Sequence, residues 1–257
     1  MHDTIRKRLS EGRVVVGSWM QLPNASLAEI MGRAGYDWVA VDLEHGSFGL
    51  ESLPGIFRAL ELSGTVPFAR VGQNSCKDIK QAIEAGARGV IIPMIETRQD
   101  LEQAVAWAKY PPQGRRGVGY SRANLFGQRF DEHFQSLNDE LVIVAQIESI
   151  AAIQGLEDIL TVPGLDAMMI GPYDLSASMN LTGNFEHPEF KQALLRAAEI
   201  AHRLHIPMGL HIVQPNPELL RRKVAEGYRF IAYGIDAVFL YNAAANPLAS
   251  DSKPQPK

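Results

Sequence analysis

The feature that most constrains the fold is a repeated alternation of short apolar runs with segments of helical periodicity. Eight runs are rich in β-branched and aliphatic residues and are bounded by glycine, proline or polar residues, as strands are. They are residues 14–20, 38–43, 66–71, 89–94, 141–147, 165–170, 207–213 and 230–236. No linker interrupts the series. Strands that alternate with helices predict a parallel sheet, and eight of them predict an α/β fold with a single (β/α)8 TIM barrel.

The length of 257 residues suits one barrel of this kind. A doubly wound sheet is the main alternative, but no G-x-G-x-x-G turn follows the first run. We expect the barrel to occupy residues 1–248 and the polar tail, residues 249–257, to be disordered. Between residues 110 and 140 the regular pattern breaks into a segment rich in glycine and arginine, which predicts a functional or mobile loop.

Composition excludes several classes of function. The formal net charge is −4 and no basic run is present, so a nucleic-acid partner is not expected. The single cysteine, Cys76, excludes an intrachain disulfide framework and suits a reducing compartment. The N-terminus lacks the apolar segment of a signal peptide, and no apolar run approaches the length of a membrane span. We therefore expect a cytoplasmic protein that acts on small molecules, without a membrane partner.

Polar and aromatic side chains gather where the predicted strands end. In a (β/α)8 barrel the carboxyl ends of the strands open on one face, and that face carries the catalytic groups. The residues that this rule brings to the rim are Trp19, Asp42, His45, Arg70, Gln146, Glu148, Asp174 and His211. Any one of them could simply solvate the rim. A set with several acids, an imidazole and a cation favours a catalytic role for the rim instead.

Two of these carboxylates, Glu148 and Asp174, follow adjacent strands. Two carboxylates suit Mg²⁺ or Mn²⁺, which keep waters and accept substrate oxygens at the remaining positions. An ion pair with Arg70 is the alternative interpretation. His45, with Asp42 or Glu44 nearby, suits a general base, and a structural role is the alternative for it.

The lysines bear on the mechanism, because none lies in a predicted strand. A Schiff-base aldolase needs a lysine that projects into the barrel, so this chemistry is disfavoured. Metal-assisted enolisation of a 2-oxo acid is favoured by elimination. Arg70 would then add a positive charge where the enolate oxygen develops.

Seven segments in chain order carry a family resemblance. They are Gly17-Ser18-Trp19, residues 34–38 leading into Asp42-Leu43-Glu44-His45-Gly46, residues 69–71, residues 81–89, Arg116-Gly117-Val118-Gly119, Gln146-Ile147-Glu148 and residues 170–176. Together they resemble the HpcH/HpaI aldolases, which are metal-dependent pyruvate aldolases such as 4-hydroxy-2-oxoheptanedioate aldolase and 2-keto-3-deoxy-rhamnonate aldolase.

The resemblance implies roles for particular residues. Glu148 and Asp174 match the family's metal-binding carboxylates, and the metal would be Mg²⁺ or Mn²⁺, with Co²⁺ or Zn²⁺ as alternatives. Arg70 matches the catalytic arginine, and His45 with Asp42 matches the base dyad. The remaining residues match positions that bind substrate or lie beside the metal: Trp19, Gln146, Gly171, Pro172, Tyr173 and His211.

The resemblance also implies a homohexamer, built as a trimer of dimers, in which the last helix is exchanged and residues 238–241 pack on a neighbour.

Two departures from the family pattern concern the choice of aldehyde. The loop with Ser121 and Arg122 looks shorter than in the heptanedioate aldolases, where an arginine selects an acidic aldehyde, and Arg122 is the candidate substitute. His211 stands where an aliphatic residue is usual, which predicts a more polar acceptor side.

The sequence thus predicts a class II aldolase, a carbon–carbon lyase that reversibly cleaves a 4-hydroxy-2-oxo acid to pyruvate, or a related 2-oxo acid, and an aldehyde through a metal-bound enolate. The alternative keeps the enolate and uses it for oxaloacetate decarboxylation or another condensation. A non-catalytic barrel that binds a carboxylate is a further alternative. A phosphosugar enzyme is disfavoured, because no glycine-rich phosphate cradle follows the seventh or eighth strand.

Overall fold

Eight parallel strands close into a barrel in sequence order in the computed structural model, which describes residues 4–246. The predicted (β/α)8 barrel is therefore confirmed. The strands are β1 (Val15–Met20), β2 (Trp38–Asp42), β3 (Val66–Arg70), β4 (Gly89–Ile92), β5 (Val142–Ile147), β6 (Ala167–Ile170), β7 (Met208–Ile212) and β8 (Phe230–Ile235). The predicted domain boundary at residue 248 and the tail predicted to be disordered, residues 249–257, lie outside the described residues.

Helices connect the strands on the outside of the barrel. They are α1 (Ile5–Ser10), α2 (Ala25–Arg33), α3 (Leu53–Leu62), α4 (Cys76–Ala85), α5 (Arg98–Ala108), α6 (Phe130–Glu140), α7 (Ile150–Gln154), α8 (Leu156–Leu160), α9 (Pro172–Ser178), α10 (Pro188–Arg203), α11 (Pro217–Ala225) and α12 (Asp236–Ala243), with a 3-10 helix at Arg122–Gly127. No helix in residues 4–246 is long and apolar enough to cross a membrane.

The structure differs from the sequence prediction in three connections. The segment from residue 110 to 140, predicted as irregular, contains the 3-10 helix and α6, which buries Leu137 and Asn138. The single helix predicted after β5 is two short helices that meet at Gly155. A short helix, α9, follows β6 directly where a loop was predicted, and Pro172 occupies its first turn, as proline often does.

Side-chain caps begin several of the helices. Ser75 accepts a hydrogen bond from the backbone N–H of Asp78 at the start of α4, and Asn216 accepts two at the start of α11. Thr97 and Asp100 form a reciprocal capping box at the start of α5. Each cap satisfies backbone donors that the first turn leaves free, which contributes about 1 kcal/mol.

Aromatic rings fill the barrel interior near the amino ends of the strands. Trp38 stacks on Phe230 with 4.4 Å between ring centroids, and Phe68 lies 5.2 Å from Trp38. A Cβ at Gly17 would lie 2.1 Å from the Trp38 ring, so this position requires glycine. Each fully buried ring contributes roughly 1.5–3 kcal/mol. Because this end of the barrel is filled, a substrate can enter only from the carboxyl ends of the strands.

Candidate active site

Four predicted site residues form the floor of the open end. Trp19, Arg70, Gln146 and His211 lie on β1, β3, β5 and β7, and each is two residues beyond a position that faces the barrel interior. Side chains alternate along a strand, so all four point inward. Alternate strands of a (β/α)8 barrel supply such a layer of four side chains. The structure therefore brings these residues together beneath the rim.

Arg70 is held from two sides by acids. Its Nε and Nη2 donate to the two carboxylate oxygens of Asp42 over 2.9 and 2.6 Å. Its Nη1 lies 3.0 Å from Oε2 of Glu44. The guanidinium also lies 5.3 Å from the centre of the Trp19 ring. The structure thus assigns Glu44, whose role the sequence left open, to a pair with Arg70.

Asp42 is fully buried and has more partners than Arg70 alone. Gln21 donates its side-chain N–H to Oδ2 over 3.1 Å. The backbone N–H groups of Glu44 and His45 donate to Oδ1, each over 3.1 Å. Burial acts to raise the pKa of Asp42, but the hydrogen bonds and charge of Arg70 outweigh it and lower the pKa to about 2. Asp42 therefore stays ionised and fixes the turn that carries His45.

The turn after β2 is tightly wound. The backbone N–H of Gly46 donates to the carbonyl oxygen of Asp42 over 3.1 Å. A Cβ at Gly46 would lie 2.2 Å from that same oxygen, so no larger residue fits. His45 is exposed at the rim, and its position is set by its backbone bond to Asp42. The imidazole is thus accessible to a substrate or to water.

Glu148 lies just beyond β5, and its carboxylate is buried. The backbone N–H of Met94 donates to Oε1 over 2.6 Å, and the side-chain N–H of Gln146 donates to Oε2 over 2.5 Å. Met94 has a φ of +54°, a conformation that non-glycine residues seldom adopt and that concentrates at functional sites. This backbone geometry aims its N–H at the carboxylate.

Glu148 shares its surroundings with two other acids. Burial raises the pKa of Glu148, and the charges of Glu44 and Asp174 raise it further. Arg70 pairs with Asp42 and Glu44, so the alternative of an ion pair from Arg70 to Glu148 and Asp174 is not what the structure shows. Buried or clustered carboxylates favour a nearby cation.

Asp174 is exposed in the first turn of α9, and Gly171 precedes that helix. A Cβ at Gly171 would lie 2.7 Å from Oε2 of Glu148, so the glycine lets the β6 end approach the carboxylate. Tyr173, in the same turn, is exposed. Within residues 4–246, no three His, Cys, Asp or Glu side chains are grouped closely enough to hold a metal by themselves.

Trp19 and His211 form one wall of the open end. Their rings stack with 4.8 Å between centroids. Nε2 of His211 lies 3.0 Å from the carbonyl oxygen of Gly234, which assigns the proton of the neutral ring to Nε2. Burial lowers the pKa of His211 to about 4, so the ring is neutral at pH 7. Its Nδ1 is then a hydrogen-bond acceptor.

Within one chain, Ser121 and Arg122 do not line this pocket. Arg122 pairs with Glu61 near the end of α3, and its Nη1 donates to the carbonyl oxygen of Ala85 at the end of α4. Helices of a (β/α)8 barrel run antiparallel to the strands, so their carboxyl ends lie at the amino ends of the strands. Both residues therefore lie at the opposite end of the barrel from the rim.

Sequence reasoning missed three contributors to the site. Gln21 follows β1 and would be found by extending the strand-end rule by one residue. Asp236 accepts the backbone N–H groups of Gln21 and Leu22 over 2.9 and 3.0 Å, so it holds Gln21 in place. The third, Met94, contributes only a backbone N–H, and no side-chain pattern can reveal that.

The fold and the rim together define a class of protein. A (β/α)8 barrel with a buried Arg70–Asp42 pair and several acids at one rim has the architecture of a (β/α)8 enzyme. A family model described as HpcH/HpaI aldolase/citrate lyase matches residues 15–243. The chain belongs to this family. The predicted family and the predicted class, a carbon–carbon lyase, are confirmed.

Individual relatives are similar over nearly their full length. The chain is 34% identical over 242 residues to the hydroxypyruvate/pyruvate aldolase of Roseobacter denitrificans, covering 93% of each chain. It is 33% identical over 251 residues to the 2-keto-3-deoxy-L-rhamnonate aldolase of Escherichia coli K12, covering 97% of this chain and 93% of the relative. A crystal structure of an HpcH/HpaI aldolase/citrate lyase family protein from Burkholderia cenocepacia superimposes with a TM-score of 0.88 at 31% identity, covering 93% and 95% of the two chains.

Proposed function

We propose that the chain is a divalent-metal-dependent aldolase that reversibly cleaves a 4-hydroxy-2-oxo acid to pyruvate, or a related 2-oxo acid, and an aldehyde. The observation that carries this proposal is the buried Glu148 carboxylate, which shares the negative field of Glu44 and Asp174. Relatives named as hydroxypyruvate/pyruvate and 2-keto-3-deoxy-L-rhamnonate aldolases support the same substrate class.

The residues present fit a divalent cation. Glu148 and Asp174 would hold it, and their oxygens suit Mg²⁺ or Mn²⁺, with Co²⁺ or Zn²⁺ as alternatives. Oε1 of Gln146 is buried beside Glu148 without a hydrogen-bond partner among the described residues, as an oxygen facing a missing ligand would be. When bound, the cation acts as a Lewis acid that polarises the substrate's keto oxygen.

The turn from β6 into α9 would bind the carboxylate of the 2-oxo acid. Gly171, Pro172 and Tyr173 lead from β6 into α9, and no side chain caps this helix. The backbone N–H groups of the first turn are free to donate to an anion. Gly171 lets this turn lie close against Glu148, because a Cβ there would lie 2.7 Å from Oε2.

Proton transfer and charge stabilisation fall to the residues of β2 and β3. His45 would accept the C3 proton of pyruvate, through a water, because it is exposed at the rim and its turn is fixed by Asp42. Arg70 holds a fixed positive charge for the negative charge that develops on the keto oxygen. Trp19 and His211 would border the aldehyde, and the neutral His211 ring offers an acceptor for a hydroxyl group.

We also propose a cytoplasmic homohexamer, a trimer of dimers with α12 exchanged between partners. Leu240 and Tyr241 of α12 are 56% and 69% exposed, and no residue of α11 is fully buried. Exposed apolar faces of this kind are suited to packing against another copy of the chain. Ser121 and Arg122, at the far end of their own barrel, could act on a substrate only in a neighbouring subunit's site.

The test is exchange of the C3 protons of pyruvate for deuterium, followed by NMR, with Mg²⁺, Mn²⁺, Co²⁺ and Zn²⁺ in turn. We expect exchange that requires metal and falls at least about a thousandfold in Glu148→Gln. Glu157→Gln is the matched control, because Glu157 is exposed and paired with Arg203. Exchange that persists in metal-free enzyme would refute the proposal. Pyruvate release from oxaloacetate, measured beside aldol cleavage at the same metal concentration, separates a decarboxylase from an aldolase.

A further inference from the structure

A buried guanidinium without a partner lies away from the rim. Arg116, between α5 and the 3-10 helix, is 3% exposed. Its Nε and Nη1 are buried without a hydrogen-bond partner among the described residues. The guanidinium carbon Cζ lies over the ring of Tyr110, 4.8 Å from the ring centre. A buried arginine normally donates to a carboxylate or another anion, because an unpaired buried charge is costly.

Three other cations near Arg116 have acidic partners. The Lys80 ammonium lies 3.7 Å from Glu84. Arg88 donates to Glu140 over 2.6 Å. Arg129 pairs with Glu132 on the surface. Within residues 4–246, Arg116 differs from these three cations because it is buried and no carboxylate contacts it directly.

His133, on α6, supplies a second unsatisfied atom. Its Nε2 is buried without a partner in the described structure. Its ring packs edge-on against Tyr110, with 6.2 Å between centroids. Burial lowers the pKa of His133 to about 4, and the charge of Arg116 is the next largest cause. Arg116 and His133 therefore contact the same tyrosine, and both have buried nitrogens without a hydrogen-bond partner in the described structure.

We infer that Arg116 and His133, which both contact Tyr110, bind a small oxyanion. The guanidinium would donate two parallel hydrogen bonds from Nε and one Nη, which matches two oxygens of a sulfate-like anion or of a carboxylate. Nε2–H of His133 would donate to a further oxygen. Arg116 lies at the amino ends of the strands, because it follows the carboxyl end of α5 and helices run antiparallel to the strands. The site is therefore separate from the catalytic rim of its own chain, and the inference does not rest on the proposed reaction.

The probe is sulfate, a dianion across the neutral pH range. Isothermal titration calorimetry of the full chain with sodium sulfate, at constant ionic strength, should show one saturable site per chain. Arg116→Gln should weaken binding at least about tenfold. Arg115→Gln is the matched control: it removes the same charge one residue away, and Arg115 is exposed over the ring of Trp107. Titration with acetate distinguishes a carboxylate ligand from a tetrahedral one.

A second measurement needs no variant. Crystals of the unaltered protein soaked in selenate should show an anomalous peak within hydrogen-bond distance of Nε or Nη of Arg116. Equal sulfate affinity in Arg116→Gln and the unaltered protein would overturn the inference. So would a crystal structure in which a carboxylate from a second copy of the chain, or Glu84, occupies the Arg116 nitrogens.

Discussion

Replacing Asp42 with asparagine tests whether the Arg70–Asp42 pair organises the site. The change keeps the shape but places an amide N–H₂ where a carboxylate oxygen accepts from Arg70 over 2.6 Å. A buried arginine then loses its main acceptor. Removing one member of a buried ion pair costs about 3–5 kcal/mol.

The pKa of Asp42 gives an independent magnitude. It falls from an ordinary value of 3.8 to about 2, and each unit is worth 1.36 kcal/mol, so ionised Asp42 contributes about 2 kcal/mol. Because the folded pKa lies below the unfolded one, this contribution is present above about pH 4 and is lost as the pH falls towards 2. Asp42→Asn should therefore be less stable than the unaltered protein at pH 7, and the difference should shrink in acid.

Urea unfolding at pH 7 and at pH 3 measures both effects. Asp37→Asn is the control, since Asp37 makes a similar two-bond pair with Arg8 at a partly exposed position. Solvent screening there limits the expected loss to about 1 kcal/mol. An Asp42→Asn variant whose free energy of unfolding lies within 1 kcal/mol of the unaltered protein at pH 7 would contradict the reasoning.

Three further changes test other parts of the structure. Gly46→Ala should destabilise the chain by at least about 2 kcal/mol in thermal unfolding, because its Cβ would lie 2.2 Å from a carbonyl oxygen. The control is Gly55→Ala in α3, where a Cβ meets open space, and it should be neutral or slightly stabilising. Gln21→Ala should reduce kcat by about tenfold and stability by about 1 kcal/mol, because Asp42 loses a donor; unchanged kinetics would deny Gln21 a positioning role. The pKa of His211 in the folded protein is about 4, below its ordinary value of 6.5. The contribution of His211 to stability is therefore full above pH 6.5 and falls as the pH drops towards 4, by up to about 1.4 kcal/mol per pH unit. His211→Leu should flatten that slope in a pH series of unfolding curves.

The strand-end rule predicted which side chains reach the open end of the barrel. Trp19, Arg70, Gln146 and His211 all lie on inward-facing positions of their strands, as the sequence pattern required. The rule works because strand periodicity and parallel connection are both visible in the chain. The rule does not cover Arg122, which the family resemblance suggested and which lies at the opposite end of its own barrel.

The pairing of charges could not be predicted. The sequence predicted several acids at the rim that could pair with Arg70, and in the structure Arg70 pairs with Asp42 and Glu44. That choice depends on distances between neighbouring strands, and β2 lies beside β3 with Asp42 directly opposite Arg70 in register. Glu148, from β5, faces the Gln146 amide and the Met94 backbone instead.

The sequence by itself determined the barrel, the face that carries the site and the residue types on it, because hydrophobic periodicity and the order of strands are local properties of the chain. Tertiary structure decided which groups touch. Barrel closure fixes the register that joins Asp42 to Arg70, a left-handed backbone turn at Met94 supplies a donor to Glu148, and packing around Tyr110 leaves Arg116 buried without an acid. These contacts join residues far apart in sequence, so only the folded chain specifies them.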